Sequence, residues 1–86
     1  FSIYEVEEIA DNYMLINDLQ QALHYYTEIT ATPEDEVLYL PSMMEVHRKI
    51  SEIYLALGEE DKAAEAAEKA TRLERKGIAG GNGNID

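Results

Sequence analysis

The chain has 86 residues, no cysteine and a net charge of −11, and 45% of its residues are apolar and 29% charged. This length allows one domain, the composition is that of a folded chain, and the absence of cysteine excludes a disulfide framework and thiolate chemistry. The sequence contains no run of about eighteen apolar residues, so no membrane span is predicted. No basic leader precedes the first apolar residues.

The acidic charge is unevenly distributed along the chain. Residues 1–47 contain no Lys or Arg, whereas all seven basic residues lie between Arg48 and Lys76. Phosphate binding needs a basic face, so the sequence argues against nucleic-acid binding, and the same reasoning argues against anionic membrane surfaces. A basic protein partner is favoured. The alternative is that the acidity only keeps a small domain soluble.

Apolar residues recur at intervals of three and four in the first third of the chain, which predicts two helices. The first, over residues 3–16, has the stripe Ile3, Val6, Ile9, Tyr13 and Ile16. The second has the stripe Leu19, Ala22, Leu23, Tyr26 and Ile29. Asn17 and Asp18 form the predicted turn between them, with Asp18 as the N-cap of the second helix.

Two prolines interrupt the middle of the chain. Pro33 suits the first position of a helix, and the acids that follow it favour a short helical segment from Pro33 to Leu40. Pro41 is predicted to end this segment, and the capping-box spacing of Ser42 and Glu45 predicts that the third helix begins there. The core face predicted for the third helix is Met44, His47, Ile50, Tyr54 and Leu57.

The fourth predicted helix is rich in alanine. Gly58 is predicted to end the third helix, Asp61 to cap the fourth, and Gly77 to end it. Its predicted core face is Ala63, Ala64, Ala67, Ala70 and Leu73. The predicted organisation is a helical domain over residues 1–76, with hairpins over 3–30 and 42–76, and a flexible Gly-rich tail over 77–86.

The chain matches itself when it is shifted by 41 residues. The matched pairs are Ile9 with Ile50, Tyr13 with Tyr54, Ile16 with Leu57, Ala22 with Ala63 and, at the turns, Asn17 with Gly58. Hairpins that repeat at a fixed period are typical of solenoid architecture.

In each hairpin, the residues predicted to lie where its two helices contact each other resemble those of tetratricopeptide repeats. That family places a small residue and an aromatic residue three apart on the first helix of a hairpin. On the second helix it places Ala, followed four residues later by an aromatic or small residue. The corresponding residues are Ala10, Tyr13, Ala22 and Tyr26 in the first hairpin and Ser51, Tyr54, Ala63 and Ala67 in the second. The resemblance covers residues 3–76. It implies two antiparallel hairpins stacked as a short all-α solenoid, with Tyr13 and Tyr54 largely buried.

The repeat is longer than the family's period of about 34 residues, and the additional residues fall between the hairpins. A four-helix bundle is therefore the alternative fold. Two repeats are fewer than the roughly three that a stable solenoid needs. We expect either further repeats outside this chain or association of copies. Because the chain begins with Phe1, we interpret it as a fragment or a processed product.

The resemblance also implies a binding surface, because the first helix of each tetratricopeptide hairpin lines a concave groove. The corresponding residues are Tyr4, Glu7, Glu8, Asp11, Met14 and Leu15 in the first hairpin and Glu45, Arg48, Lys49, Glu52 and Leu55 in the second. Helical spacing independently indicates a stripe beside the core stripe, formed by Tyr4, Glu7, Glu8, Asp11 and Leu15. We predict an acidic groove, apolar at Met14 and Leu15, that receives a basic helix or extended segment. The alternative is an ordinary solvated face.

Family members that bind acidic chaperone tails use Lys and Asn where this chain has Glu7 and Asp11, so such binding is not expected. His24 and His47 lie on different hairpins without a histidine four residues away, and no metal site is predicted. No catalytic grouping, phosphate loop or cofactor fingerprint is present. The apolar cluster Val37–Met44 is predicted to seal the junction between hairpins. Its alternative role is an adaptable binding patch, because Met repacks readily.

The predicted function is a protein-interaction module, an adaptor or scaffold, without enzymatic activity and without a cofactor. One alternative is a self-assembly module, in which the acidic first half packs head to tail on the basic end of the fourth helix of another copy. A second alternative is an accessory helical domain of a larger enzyme. The absence of cysteine and of a leader favours a reducing compartment such as the cytoplasm.

Overall fold

The computed structural model describes the backbone of residues 3–32 and 40–82 and the side chains of residues 3–32 and 43–76. Within these residues the chain forms four α-helices: α1 (Ile3–Leu15), α2 (Leu19–Thr30), α3 (Leu40–Ala56) and α4 (Glu60–Asn82). The predicted all-α class is confirmed. Each helix packs on the next, α1 on α2, α2 on α3 and α3 on α4, which is compatible with stacked hairpins and with a four-helix bundle. Among the described helices, none combines the length and apolarity that crossing a bilayer requires.

Both hairpins turn through the same backbone motif. In the first turn, the Asn17 N–H donates to the Met14 carbonyl at 3.0 Å. The Asp18 N–H donates to the Tyr13 carbonyl at 2.9 Å. Both bonds recur 41 residues later, at 3.1 and 2.8 Å, around Gly58. Asn17 and Gly58 have φ values of 61° and 81°, as this Schellman arrangement requires. The internal repeat is therefore present in the backbone as well as in the residue types.

The cap predicted for α2 is confirmed, and the cap predicted for α4 is wrong. The Asp18 carboxylate accepts a hydrogen bond from the Gln21 N–H at 3.3 Å, which satisfies one of the free donors of the first turn. α4 begins at Glu60, so Asp61 lies inside its first turn. A carboxylate there still interacts favourably with the positive end of the helix dipole.

Three further boundary predictions are wrong. α3 begins at Leu40 and runs through Pro41, so Pro41 breaks no helix and Ser42 is not an N-cap. Proline is tolerated in a first turn because the N–H that it lacks would have no intrahelical partner there. α4 continues through Gly77 to Asn82, since glycine inside a helix costs only about 1 kcal/mol. Of the predicted Gly-rich tail, residues 83–86 lie outside the described part.

One cluster of buried side chains forms the core: Ala10, Ala22, Tyr26, Ile29, Met43, Val46, Ile50, Ile53, Ala66 and Leu73. On α3 the deepest positions are therefore offset from the predicted stripe, of which only Ile50 is buried. Met44, Tyr54 and Leu57 pack against the margin of the cluster, and His47 is half-buried. The reason is that α3 contacts both α2 and α4. Its buried arc is wide, and helical spacing alone does not say which side of the arc is deeper.

The narrow buried face of α4 was predicted only in part. Ala63, Ala70 and Leu73 are buried, as expected. Ala64 and Ala67 are exposed, and Ala66, which was not predicted, is buried instead. The Ser51 hydroxyl donates to the Ala63 carbonyl at 2.8 Å, a side chain-to-backbone bond that requires close approach of α3 and α4.

The tyrosines and Ile16 also differ from expectation. Tyr13 and Tyr54 are half-buried rather than largely buried. Tyr13 stacks on Tyr25 with ring centroids 5.7 Å apart. Tyr26 is the fully buried tyrosine among the described residues. Ile16 is not a core residue: α1 ends at Leu15, and Ile16 is 70% exposed in the turn.

The segment between α2 and α3 was predicted to contain a short helix and an apolar cluster. Of the helix predicted from Pro33 to Leu40, residues 33–39 lie outside the described part, and Leu40 is the first residue of α3. The side chains of residues 37–42 in the Val37–Met44 cluster also lie outside the described part. At its end, Met43 is buried in the core and Met44 packs against the core margin.

Candidate functional site

Lys49 connects the two hairpins at the centre of the predicted groove. Its Nζ lies 3.0 Å from Asp11 Oδ1 and 3.3 Å from Glu7 Oε2, both on α1. Glu45, one turn earlier on α3, lies 3.9 Å from the same nitrogen. The ammonium also stands 5.6 Å from the centroid of the Tyr26 ring. Lys49 therefore bridges α1 and α3, which both pack on α2.

The hydroxyl of Tyr26 donates to the Asp11 carboxylate that also accepts from Lys49. Burial, followed by this hydrogen bond and the nearby negative charges, raises the pKa of Tyr26 far above its usual value. Partial burial lowers the pKa of Lys49, but the hydrogen bond and charge of Asp11, together with Glu7, raise it by more. Near neutral pH, Tyr26 is therefore a neutral donor and Lys49 a cation.

This network gives the predicted groove acids two different roles. The Glu7 side chain is only 14% exposed and is held by Lys49. Asp11 accepts from both Lys49 and Tyr26. These two carboxylates stabilise the contact between hairpins. Replacing either would disturb the fold as well as any ligand contact, so neither is a clean probe of binding.

Other predicted groove residues remain available at the surface. Tyr4, Leu15 and Leu55 are 54%, 82% and 58% exposed. They are three of the four large apolar side chains that are exposed among the described residues, the fourth being Ile16. Glu8 and Glu52 are exposed and make no ion pair with any residue that the structure describes.

Helical geometry places these residues on one surface. Tyr4, Glu8, Asp11 and Leu15 recur at steps of three and four, so they share a face of α1. Glu52 lies three residues after Lys49 and shares a face of α3 with it, and Leu55 lies three residues after Glu52. Because Lys49 contacts Asp11, the two faces are side by side. We call Tyr4, Glu8, Leu15, Glu52 and Leu55 the α1–α3 surface.

Two residues predicted to line the groove make other contacts instead. Two contacts of groove residues were not predicted from the sequence. Met14 packs against the core rather than forming an exposed apolar centre. Arg48 forms an exposed ion pair with Glu74 of α4 at 2.9 Å. The contacts of Tyr26 with Asp11 and of Arg48 with Glu74 span 15 and 26 residues. No local pattern predicts contacts over such distances.

The histidines are accounted for separately. His24 Nε2 lies 3.0 Å from Glu28 on the exposed side of α2, and its ring meets the Tyr25 ring edge-on. His47 is half-buried on α3. Among the side chains of residues 3–32 and 43–76, no group of three or more His, Asp or Glu residues is arranged to hold a metal ion.

No family model matches this chain, and comparison with curated proteins and with solved structures also finds no match. The tetratricopeptide resemblance therefore rests on the residues alone.

Proposed function

We propose that this chain is a tetratricopeptide-like protein-interaction module that binds a basic, amphipathic segment of a partner on the α1–α3 surface. One observation carries the proposal: the exposed large apolar side chains concentrate on this surface, beside carboxylates that have no described ion pair. Exposed Leu15 and Leu55 offer apolar contacts. Glu8 and Glu52 add negative charge beside them.

The chemistry of this surface defines the partner segment. A helix laid in a groove presents apolar anchors at intervals of three and four residues. Leucine-type anchors would meet Leu15 and Leu55, while Lys or Arg beside them would pair with Glu8 and Glu52. Exposed ion pairs contribute little affinity each, so the apolar contacts provide most of it and the charges select for a basic segment.

The test measures binding of a labelled amphipathic peptide of leucine and lysine by fluorescence anisotropy, with a scrambled peptide of the same composition as reference. The first variant, Glu8→Gln with Glu52→Gln, removes both surface carboxylates. Its matched control, Glu28→Gln with Glu65→Gln, removes two exposed carboxylates from α2 and α4. Both variants change the net charge from −11 to −9. A third variant, Leu15→Ser with Leu55→Ser, removes the apolar anchors.

We expect the first variant to weaken binding by about 2- to 30-fold, since each exposed pair contributes about 0.2–1 kcal/mol. The control should bind like the original chain, and the leucine variant should bind more weakly than either. Equal weakening in the first variant and its control would mean that the peptide responds only to net charge. That result, or tight binding of the scrambled peptide, would overturn the proposal.

A further inference from the structure

Three exposed cations on α4 make no ion pair with any residue that the structure describes: Lys69, Arg72 and Arg75. The cations earlier in the chain are engaged within the molecule: Arg48 with Glu74, Lys49 with Glu7 and Asp11, and Lys62 with Glu59. The unengaged positive charge is therefore collected on one helix, at the opposite end of the helix order from α1.

These cations lie on the outer side of α4. Ala66, Ala70 and Leu73 are buried, and they mark the side of the helix that faces the core. The exposed Glu65 and Glu68 lie on the other side, one turn before the cations. Arg72 and Arg75 also lie there, three residues apart, and Lys69 lies at the edge of that side. We call these three cations the α4 cationic face. No ion pair joins these cations to Glu8 or Glu52 of their own chain among the side chains that the structure describes.

We propose that the α4 cationic face of one copy docks on the α1–α3 surface of a second copy. The inference rests on the proposed function, because it uses the same surface. The α4 cationic face supplies the positive charge but no leucine-type anchor, since Leu73 is buried, so this contact is weaker than that of an amphipathic segment. Charge complementarity supports the second copy as the occupant. One surface offers Glu8 and Glu52, which have no described ion pair. The other offers Lys69, Arg72 and Arg75, which also have none. The α1 part of the α1–α3 surface lies within residues 1–47, which contain no Lys or Arg, and the two cations near Glu52, Arg48 and Lys49, are already paired with carboxylates.

The net charge of −11 on each copy does not prevent this contact. At physiological ionic strength, charges farther apart than about 8 Å are largely screened, so the groups at the contact dominate. Because the two surfaces are different patches of one molecule, the contact is heterologous, and repeated contacts produce open chains or rings. Exposed ion pairs are weak, so association belongs in the millimolar range, and it should weaken in high salt.

Sedimentation velocity with two complementary variants tests the inference. The surface variant carries Glu8→Lys and Glu52→Lys, and the face variant carries Arg72→Gln and Arg75→Gln, so that the two altered patches do not attract each other. We expect the original chain to grow beyond 9.7 kDa as its concentration rises, and each variant alone to remain at that mass. An equal mixture of the two should form a species of about twice that mass and no larger. In the mixture, each pair retains one intact interface and cannot extend further.

Two results would overturn the inference: a chain that remains at 9.7 kDa at every concentration, or an original chain that associates while the mixed variants do not. Circular dichroism establishes that each variant is folded, and Glu8→Gln with Glu52→Gln replaces the reversal if it unfolds the chain. The amphipathic peptide separates this inference from the proposed function. If the original chain stays monomeric but the face variant binds the peptide and the surface variant does not, only the self-association fails.

Discussion

Replacement of Lys49 by methionine tests the interaction that joins the two hairpins. Methionine keeps the length and the apolar stem of lysine but removes the ammonium. Glu7 and Asp11 then lose the cation that lies 3.3 and 3.0 Å away, and the Tyr26 ring loses its cation contact. The loss is expected to be largest at Glu7, because its side chain is only 14% exposed and water replaces the lost partner poorly.

The expected loss of unfolding free energy is about 2 kcal/mol. Lys49 is one quarter exposed, so we count its two close pairs near the upper end for surface ion pairs, about 0.5–1 kcal/mol each. The cation–π contact adds about 0.5 kcal/mol. For a domain of this size, each 1 kcal/mol shifts the melting temperature by about 4–8 °C, so Lys49→Met should lower it by about 8–16 °C.

Urea unfolding followed by far-ultraviolet circular dichroism measures this loss, with Arg48→Met as the matched control. Arg48 is the neighbouring residue on α3, and its ion pair with Glu74 is about half exposed on both sides. We expect Arg48→Met to cost less than about 0.5 kcal/mol. The reasoning is refuted if the two variants lose the same stability. It is also refuted if a double-mutant cycle of Lys49→Met with Glu7→Gln shows no coupling.

Three further predictions follow from the fold. The pKa of Tyr26 is raised on folding, so the stability that it contributes is complete below its unfolded value of 10.0 and is lost as pH rises further. Ultraviolet titration should therefore show a tyrosine that ionises only as the chain unfolds in alkali, and Tyr26→Phe should remove that late phase. Gly58→Ala should cost about 1–2 kcal/mol in urea unfolding, solely because φ is 81°, since a Cβ there meets nothing within 4 Å. Ala22→Leu should destabilise by about 1–3 kcal/mol because Ala22 is 0% exposed, whereas Ala64→Leu, on the exposed side of α4, should change the melting temperature little.

Local signals in the sequence were sufficient for the helices and for their turns. The apolar spacing around Ala22, Tyr26 and Ile29 predicted both α2 and its buried face. Asn17, Gly58 and the Asp18 cap were also recognised, because left-handed backbone and helix caps each restrict the residue type at one position. These features depend on neighbours in the chain, which is why the sequence alone reveals them.

Features that depend on packing between helices were predicted less well. Ala64 and Ala66 are the same residue type, and only the position of α3 makes one exposed and the other buried. Likewise, the sequence places Lys49 among the groove residues but contains no sign that it contacts α1. The charge pattern indicated an acidic surface, but it could not separate Glu7, which lies within the hairpin junction, from Glu8, which faces solvent.

The recurrence of one turn motif in both hairpins also bears on how the chain folds. Each turn places only three residues between its helices, 16–18 and 57–59, so the partner of each helix in a hairpin is nearby in sequence. Loops this short close quickly and at small entropic cost, and chains dominated by local contacts fold fast. The Lys49 contacts, which span 38 and 42 residues, can form only when two completed hairpins meet. We therefore expect hairpin formation to come first and the union of the hairpins to be the late event. Substitutions at Lys49 should then accelerate unfolding and leave the folding rate nearly unchanged.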